Sequence, residues 1–186
     1  MRIYFTASIV GKKLFLDQYL LILKELKRQG HTVVSDHILQ TTEEQLRIEK
    51  SDERKAFHKK LESWIVESDA VIVEASFPSI SVGYEISLAL NRGKAVLVLH
   101  TNADPPSLLT DIDSEHLIIE HYNSVNLPTI LDNFLSYAVG AHDTRFTFFL
   151  NRDQAHYLTN QSLKSNLPKS VYLRNLIDQD RKKTTS

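Results

Sequence analysis

Apolar and polar positions along this chain fall into blocks that switch between a short and a helical period. RIYFTA, residues 2–7, is a short apolar run of β-prone side chains and reads as a strand. KKLFLDQYLLILKELKRQG (12–30) follows, with Phe15, Tyr19, Ile22, Leu23 and Leu26 at helical spacing and Gly30 as a stop. HTVVSD (31–36) reads as a second strand. Residues 41–69, highly charged and free of glycine and proline, predict one long helix whose apolar positions are Phe57, Leu61, Trp64 and Ile65. AVIVEAS (70–76) is nearly continuous apolar sequence, as in a strand covered on both faces. A helix over 82–91 ending at Gly93, strands over 94–100 and 116–122, and a helix over 127–139 with Pro128 near its start complete the series.

Strands alternating with helices predict an α/β fold, a doubly wound, flavodoxin-like sheet of five parallel strands. Its crossovers should be right-handed. Ligands in such sheets bind outside the carboxyl ends of the strands, so FTAS (5–8), SDH (35–37) and ASFPSISVGYE (75–85) should converge on one rim. The last forty-odd residues read differently. GAHDT (140–144) has the look of a linker between a domain over 1–139 and a small strand-helix-helix module over 145–183. In RFTFFL (145–150), Phe146, Phe148 and Leu150 share one strand face and Arg145, Thr147 and Phe149 the other, and helices follow over 151–163 and 169–183. So small a module buries little surface alone and calls for dimerisation or docking.

Composition narrows the class. The 186 residues are 42% hydrophobic and 24% charged, as in an ordinary soluble domain with a core. There is no cysteine, which excludes disulfides, thiolate metal sites and cysteine nucleophiles. Eight histidines without HxH or HExxH spacing argue against a metal, and no cofactor is implied. No segment approaches the ~20 apolar residues of a membrane span and no signal peptide is evident, so the expectation is a cytoplasmic protein with no membrane contact. Charge divides unevenly: the balance is −6 over residues 1–143 and +5 from Thr144 onward. That asymmetry fits either a tail that meets a polyanion or a solvated basic end.

The chemistry centres on the loop at 75–85. Gly83 permits close backbone approach, while Ser79, Ser81 and the free amides at the helix start suit an anionic or hydroxyl-rich ligand. Glu85, expected in the first helical turn, would be held as an anion by the helix dipole. An ionised carboxylate aimed into a pocket is what attack on an anomeric carbon requires. A carboxylate that only complements the dipole is the other reading.

IYFTAS near the start, SDH, and above all DAVIVEASFPSISVGYE (69–85) resemble the nucleoside 2-deoxyribosyltransferase family, in particular its branch of 2'-deoxynucleoside 5'-phosphate N-hydrolases. The resemblance runs over residues 2–137. It implies that Glu85 attacks C1' of a 2'-deoxynucleoside or deoxynucleotide, expels the base, and leaves a deoxyribosyl-enzyme that water or a second base resolves. It implies no cofactor, and a homo-oligomer, dimer or higher, whose subunits complete one another's sites. By the same resemblance Tyr4 lies near the reacting sugar, and Thr6, Ala7, Ser8 and Ile9 line the nucleotide cleft. Ser79 would hold the 5'-phosphate, His37 would stand at the cleft edge, and Ser107 of PPSLLT would reach a neighbouring subunit's phosphate site. Two positions depart from the pattern. Leu61 stands where that branch carries an aspartate serving as second acid/base, and Val10 where it carries an arginine, with Lys12 and Lys13 close by. Asp69 reads as a structural hydrogen-bonding residue, Glu74 as a paired structural charge, and Trp64 as core.

Residues 144–181 resemble a ribbon-helix-helix module. That implies a strand paired across a dimer, with Arg145, Thr147 and Phe149 facing the DNA major groove. A module kept only for oligomerisation is the alternative. Together with Leu61 it leaves a second function open, a nucleotide-sensing domain of weak or absent catalysis fused to a DNA-binding regulator.

Overall fold

In the computed structural model of the chain, residues 1–48, 51–140, 150–165 and 169–184 are described. The chain divides into two compact units, Met1–Asp143 and Thr144–Ser186. In the first, β1 (Arg2–Ala7), β2 (Thr32–Val34), β3 (Ala70–Glu74), β4 (Ala95–His100) and β5 (Leu117–His121) form one sheet in the order β2-β1-β3-β4-β5. Every pairing is parallel, with Ile3 opposite Ala70, Val71 opposite Val96 and Val96 opposite Leu117. The strand order reverses between β1 and β3, the switch point at which doubly wound sheets seat their ligands.

The pleat of β1 sends its side chains to two cores. Ile3, Phe5 and Ala7 pack with Tyr19, Ile22, Leu23 and Leu26 of α1 (Lys12–Arg28) and with Leu131, Phe134 and Leu135 of α7 (Leu127–Gly140). Tyr4 points the other way, into a cluster with Leu61 and Ile65 of α4 (Ser51–Glu67) and Val82, Ile86 and Ala89 of α5 (Ile80–Asn91). β3 and β4 are buried along their whole length, which explains their unbroken apolar sequence. Each Val, Leu or Ile among these side chains contributes about 1.5–3 kcal/mol on burial.

Of the charged stretch expected as one helix, residues 43–48 and 51–67 are helical and residues 41 and 42 are not. Its first piece, α3 (Glu43–Ile48), starts at a reciprocal cap: Thr42 N–H donates to Gln45 Oε1 at 2.8 Å and Gln45 N–H to Thr42 Oγ1 at 3.3 Å. A short helix absent from the sequence reading, α2 (Asp36–Gln40), precedes it. Lys12 Nζ donates to the carbonyls of Ile38, Leu39 and Thr41 at 2.8, 3.1 and 2.6 Å, tying the end of α2 to the start of α1. Lys13 pairs with Glu43 at 2.5 Å. Lys12 is thus taken up by backbone carbonyls and does not stand in for the arginine expected at Val10.

Gly11 is the glycine that the packing requires. A Cβ there would lie 2.6 Å from Phe77 Cβ, so the turn after β1 rests directly on the turn after β3. At Gly83, by contrast, a Cβ would meet nothing within 4 Å.

In the second unit α8 (Arg152–Ser165) packs against α9 (Lys169–Thr184). The strand expected over 145–150 lies outside the described residues except for Leu150, and Arg145, Thr147 and Phe149 lie outside with it. Among the described residues, no helix is long and apolar enough to cross a membrane.

Candidate active site

The site is built on the α4/α5 side of the switch point. Ser79 caps α5, its Oγ accepting from Val82 N–H at 3.4 Å, so the helix begins at Ile80. Glu85 is therefore in the second turn, not the first, and its side chain is buried at 6% exposure. The dipole argument is corrected on both counts, because the dipole acts within the first turn and burial opposes ionisation. Loss of water raises the Glu85 carboxyl strongly, and its net position is about 7. The Thr6 hydroxyl and a hydrogen bond from Tyr4 already oppose the rise within that value. Thr6 Oγ1 acts through proximity, since it makes no hydrogen bond of good geometry.

Tyr4 crosses from the middle of β1 and donates to Glu85 Oε2 at 2.9 Å. Its oxygen also lies 3.0 Å from His37 Nε2. Burial with Glu85 beside it drives the Tyr4 phenol far above its ordinary value, so it stays protonated. His37 sits at the start of α2 and is buried, which lowers its imidazole to about 4 and keeps it neutral. Its ring stacks on Tyr4 at 5.1 Å with an interplanar angle of 11°, and meets Trp64 at 5.2 Å and Phe57 at 6.3 Å. Trp64, expected as core, is half-buried and forms part of this aromatic wall.

The other expected site residues are distributed around this centre. Ala7 faces the opposite core, and half-buried Ile9 packs against that same cluster. Ser8 is buried, and its Oγ accepts from Gly11 N–H at 3.1 Å. Ser79, Gly83 and Ser107 line one cavity of about 400 Å³ together with Val82 and Ile86. Ser107 opens the short helix α6 (Ser107–Thr110). Ser81 is exposed. On a helix of 100° per residue, Val82 of this cavity lies about 60° round α5 from Glu85 and Gly83 about 160°, so the cavity starts beside the carboxylate's side of the helix and extends away from it.

Among the described residues, no acid takes the place of the aspartate expected at 61. Leu61 is 6% exposed in the Tyr4 cluster, and the neighbouring Glu62 pairs with Arg92 at 2.8 Å. Glu74 is fully buried, and no cation pairs with it among the described residues. Its Oε1 accepts from Ser76 Oγ, from Ser76 N–H at 3.3 Å and from Tyr122 OH at 3.3 Å. Burial raises its pKa, so the expected paired charge is instead a carboxyl held by hydroxyls. Asp69 accepts from Arg2 N–H at 2.7 Å and locks the start of β3 to β1.

No protein-family model matches the chain. A Nematostella vectensis protein named "Putative 2'-deoxynucleoside 5'-phosphate N-hydrolase 1" is 31% identical over 141 residues, which is 73% of this chain and 94% of that protein. The 5-hydroxymethyl-dUMP N-hydrolase of Branchiostoma floridae is 35% identical over 85 residues, 44% of this chain and 81% of that one. Among solved structures, the Clostridium botulinum CMP N-glycosidase BcmB aligns over 71% of this chain and 99% of its own, with a TM-score of 0.48 and 19% identity. The class defined by sheet order and relatives is that of the deoxyribosyltransferase-like α/β proteins. Within it, this chain belongs to the 2'-deoxynucleoside 5'-phosphate N-hydrolase family.

Proposed function

We propose that this protein is an N-glycosidase that breaks the base–sugar bond of 2'-deoxynucleosides or their 5'-monophosphates, with Glu85 as nucleophile. The observation that carries the reading is the Glu85 carboxylate itself, 6% exposed and held by the Tyr4 hydroxyl at 2.9 Å. Its oxygen attacks C1', the C1'–N electron pair leaves with the base, and the base takes a proton from solvent. Water then attacks the deoxyribosyl ester and returns the free carboxylate; a second base in place of water gives transfer. Burial makes the carboxylate a stronger base and nucleophile, while leaving about half of it ionised near pH 7. Ser79 and the first amides of α5 are suited to the 5'-phosphate. Incubation with the four deoxynucleosides and their monophosphates, with chromatography for free base, tests the reading. Base release abolished by Glu85→Gln supports it, and no release from any of the eight sinks it.

The buried Leu61 favours a second reading, in which nucleotide binds but turns over little. The +5 tail would then act through Arg145, Thr147 and Phe149 on DNA, giving a cytoplasmic regulator. Its signature is a salt-dependent mobility shift weakened by Arg145→Ala, and no shift at low salt rejects it. Either reading takes the protein as a homo-oligomer. Sedimentation of the full chain against residues 1–139 tests whether the tail assembles it.

A further inference from the structure

Tyr4 has one hydroxyl proton and two hydrogen-bond partners of good geometry, Glu85 Oε2 at 2.9 Å and His37 Nε2 at 3.0 Å, with the Thr6 hydroxyl close by. When that proton goes to Glu85, the contact with Nε2 is a hydrogen bond only if Nε2 itself carries a hydrogen and donates to the Tyr4 oxygen. When the proton goes to Nε2 instead, Glu85 Oε2 loses the Tyr4 donor and faces its lone pairs, which favours the protonated carboxyl over the anion. An ionised Glu85 therefore favours the whole chain of donors, from His37 Nε2 to Tyr4 to the carboxylate. The imidazole has little freedom to do otherwise, being 7% exposed and packed among Tyr4, Trp64 and Phe57. The titratable groups around it are Tyr4 from β1, Glu85 from α5 and Asp36 on its own helix, while α4 presents the rings of Phe57 and Trp64. Nδ1 has no hydrogen-bond partner, and a bare lone pair there is what the Nε2–H tautomer leaves.

We propose that His37 is a positioning residue for the nucleophile: its Nε2–H fixes the Tyr4 oxygen and so aims the Tyr4 proton at Glu85. This gives His37 a task other than touching substrate. It rests on the reading of Glu85 as nucleophile, but its first test does not.

Proton–nitrogen correlation NMR on the full chain with nitrogen-15 histidine, at about pH 9 where Glu85 is mostly ionised, reads the tautomer directly. The Nε2–H form is expected, and Nδ1–H overturns the proposal. Because this needs no substrate, a protein that releases no base still decides it. Base release alongside an Nδ1–H tautomer would overturn the proposal and leave the glycosidase reading standing. In the kinetic arm, His37→Phe keeps a stacked ring and removes the donor. It should lower kcat/KM about tenfold when Tyr4 is present, and have little further effect in a Tyr4→Phe background. His37→Gln, whose amide can donate from the place of Nε2, should recover most of the loss. Equal losses in both backgrounds, or a glutamine variant as poor as the phenylalanine one, overturns the proposal.

Discussion

Removing the Tyr4 hydroxyl tests the electrostatics of the site. Tyr4→Phe keeps the ring in a core where it is fully buried and deletes a donor 2.9 Å from Glu85 Oε2. The hydroxyl stabilises the anion more than the neutral acid, so its loss must raise the carboxyl further above about 7. A hydrogen bond to a charged group is worth about 1.5–3 kcal/mol, which at about 1.4 kcal/mol per tenfold places the new midpoint roughly one to two pH units higher. With Glu85 as the proposed nucleophile, base release requires the anion, so the acid limb of kcat/KM against pH should move up by that amount while the alkaline plateau falls less. The same substitution leaves His37 Nε2 without its partner and should cost about 1–3 kcal/mol of stability. A limb that stays in place or moves down, in a variant that folds, refutes the view that Tyr4 supports the ionised carboxylate.

Glu85→Gln probes the same burial through stability. The folded state raises the Glu85 carboxyl from 4.5 to about 7, so it binds that proton more tightly than the unfolded chain does. The stabilisation is complete below about pH 4.5 and is lost as pH rises to about 7, a loss on the order of 3 kcal/mol. The Tm gained by Glu85→Gln should grow across that window and then level off, and a gain independent of pH would count against it. Leu61→Asp restores a carboxyl beside the Tyr4 cluster. It should raise the rate of base release by at least roughly tenfold, short of the 10²–10⁴ typical of a well-placed general acid, and lower Tm through burial of a polar group. No acceleration in a folded variant removes the missing acid as the limit on turnover. Gly11→Ala forces a methyl against Phe77 and should cost about 1–3 kcal/mol in denaturant unfolding, with an unchanged midpoint as the contrary result.

The sheet was readable because its strands are so different from their surroundings. β3 and β4 have no polar face, and Gly30 and Gly93, at φ of 83° and 67°, close α1 and α5 where the sequence places stops. Short helices were not readable: α2 spans five residues, too few for a period, and the Thr42–Gln45 cap was hidden inside a charged run that looks helical throughout. At the site, the position of Glu85 in the chain pointed to a carboxylate beside a loop, but its state depends on burial by residues from β1, α2 and α4. The partnership of Tyr4 with His37 and Glu85 spans 33 and 81 residues, and no local pattern records it. The same holds for Lys12, which the sequence places only near the position of the expected arginine and which the carbonyls of Ile38, Leu39 and Thr41 surround.

The contact between Gly11 and Phe77 makes the two lips of the switch-point crevice a matched pair. A bulkier turn transplanted onto residues 8–11 from a relative would collide with the aromatic ring below it, and a larger ring at 77 would push the upper turn away. Redesign of this rim should therefore exchange both segments in a single step, since either half alone begins from a steric conflict.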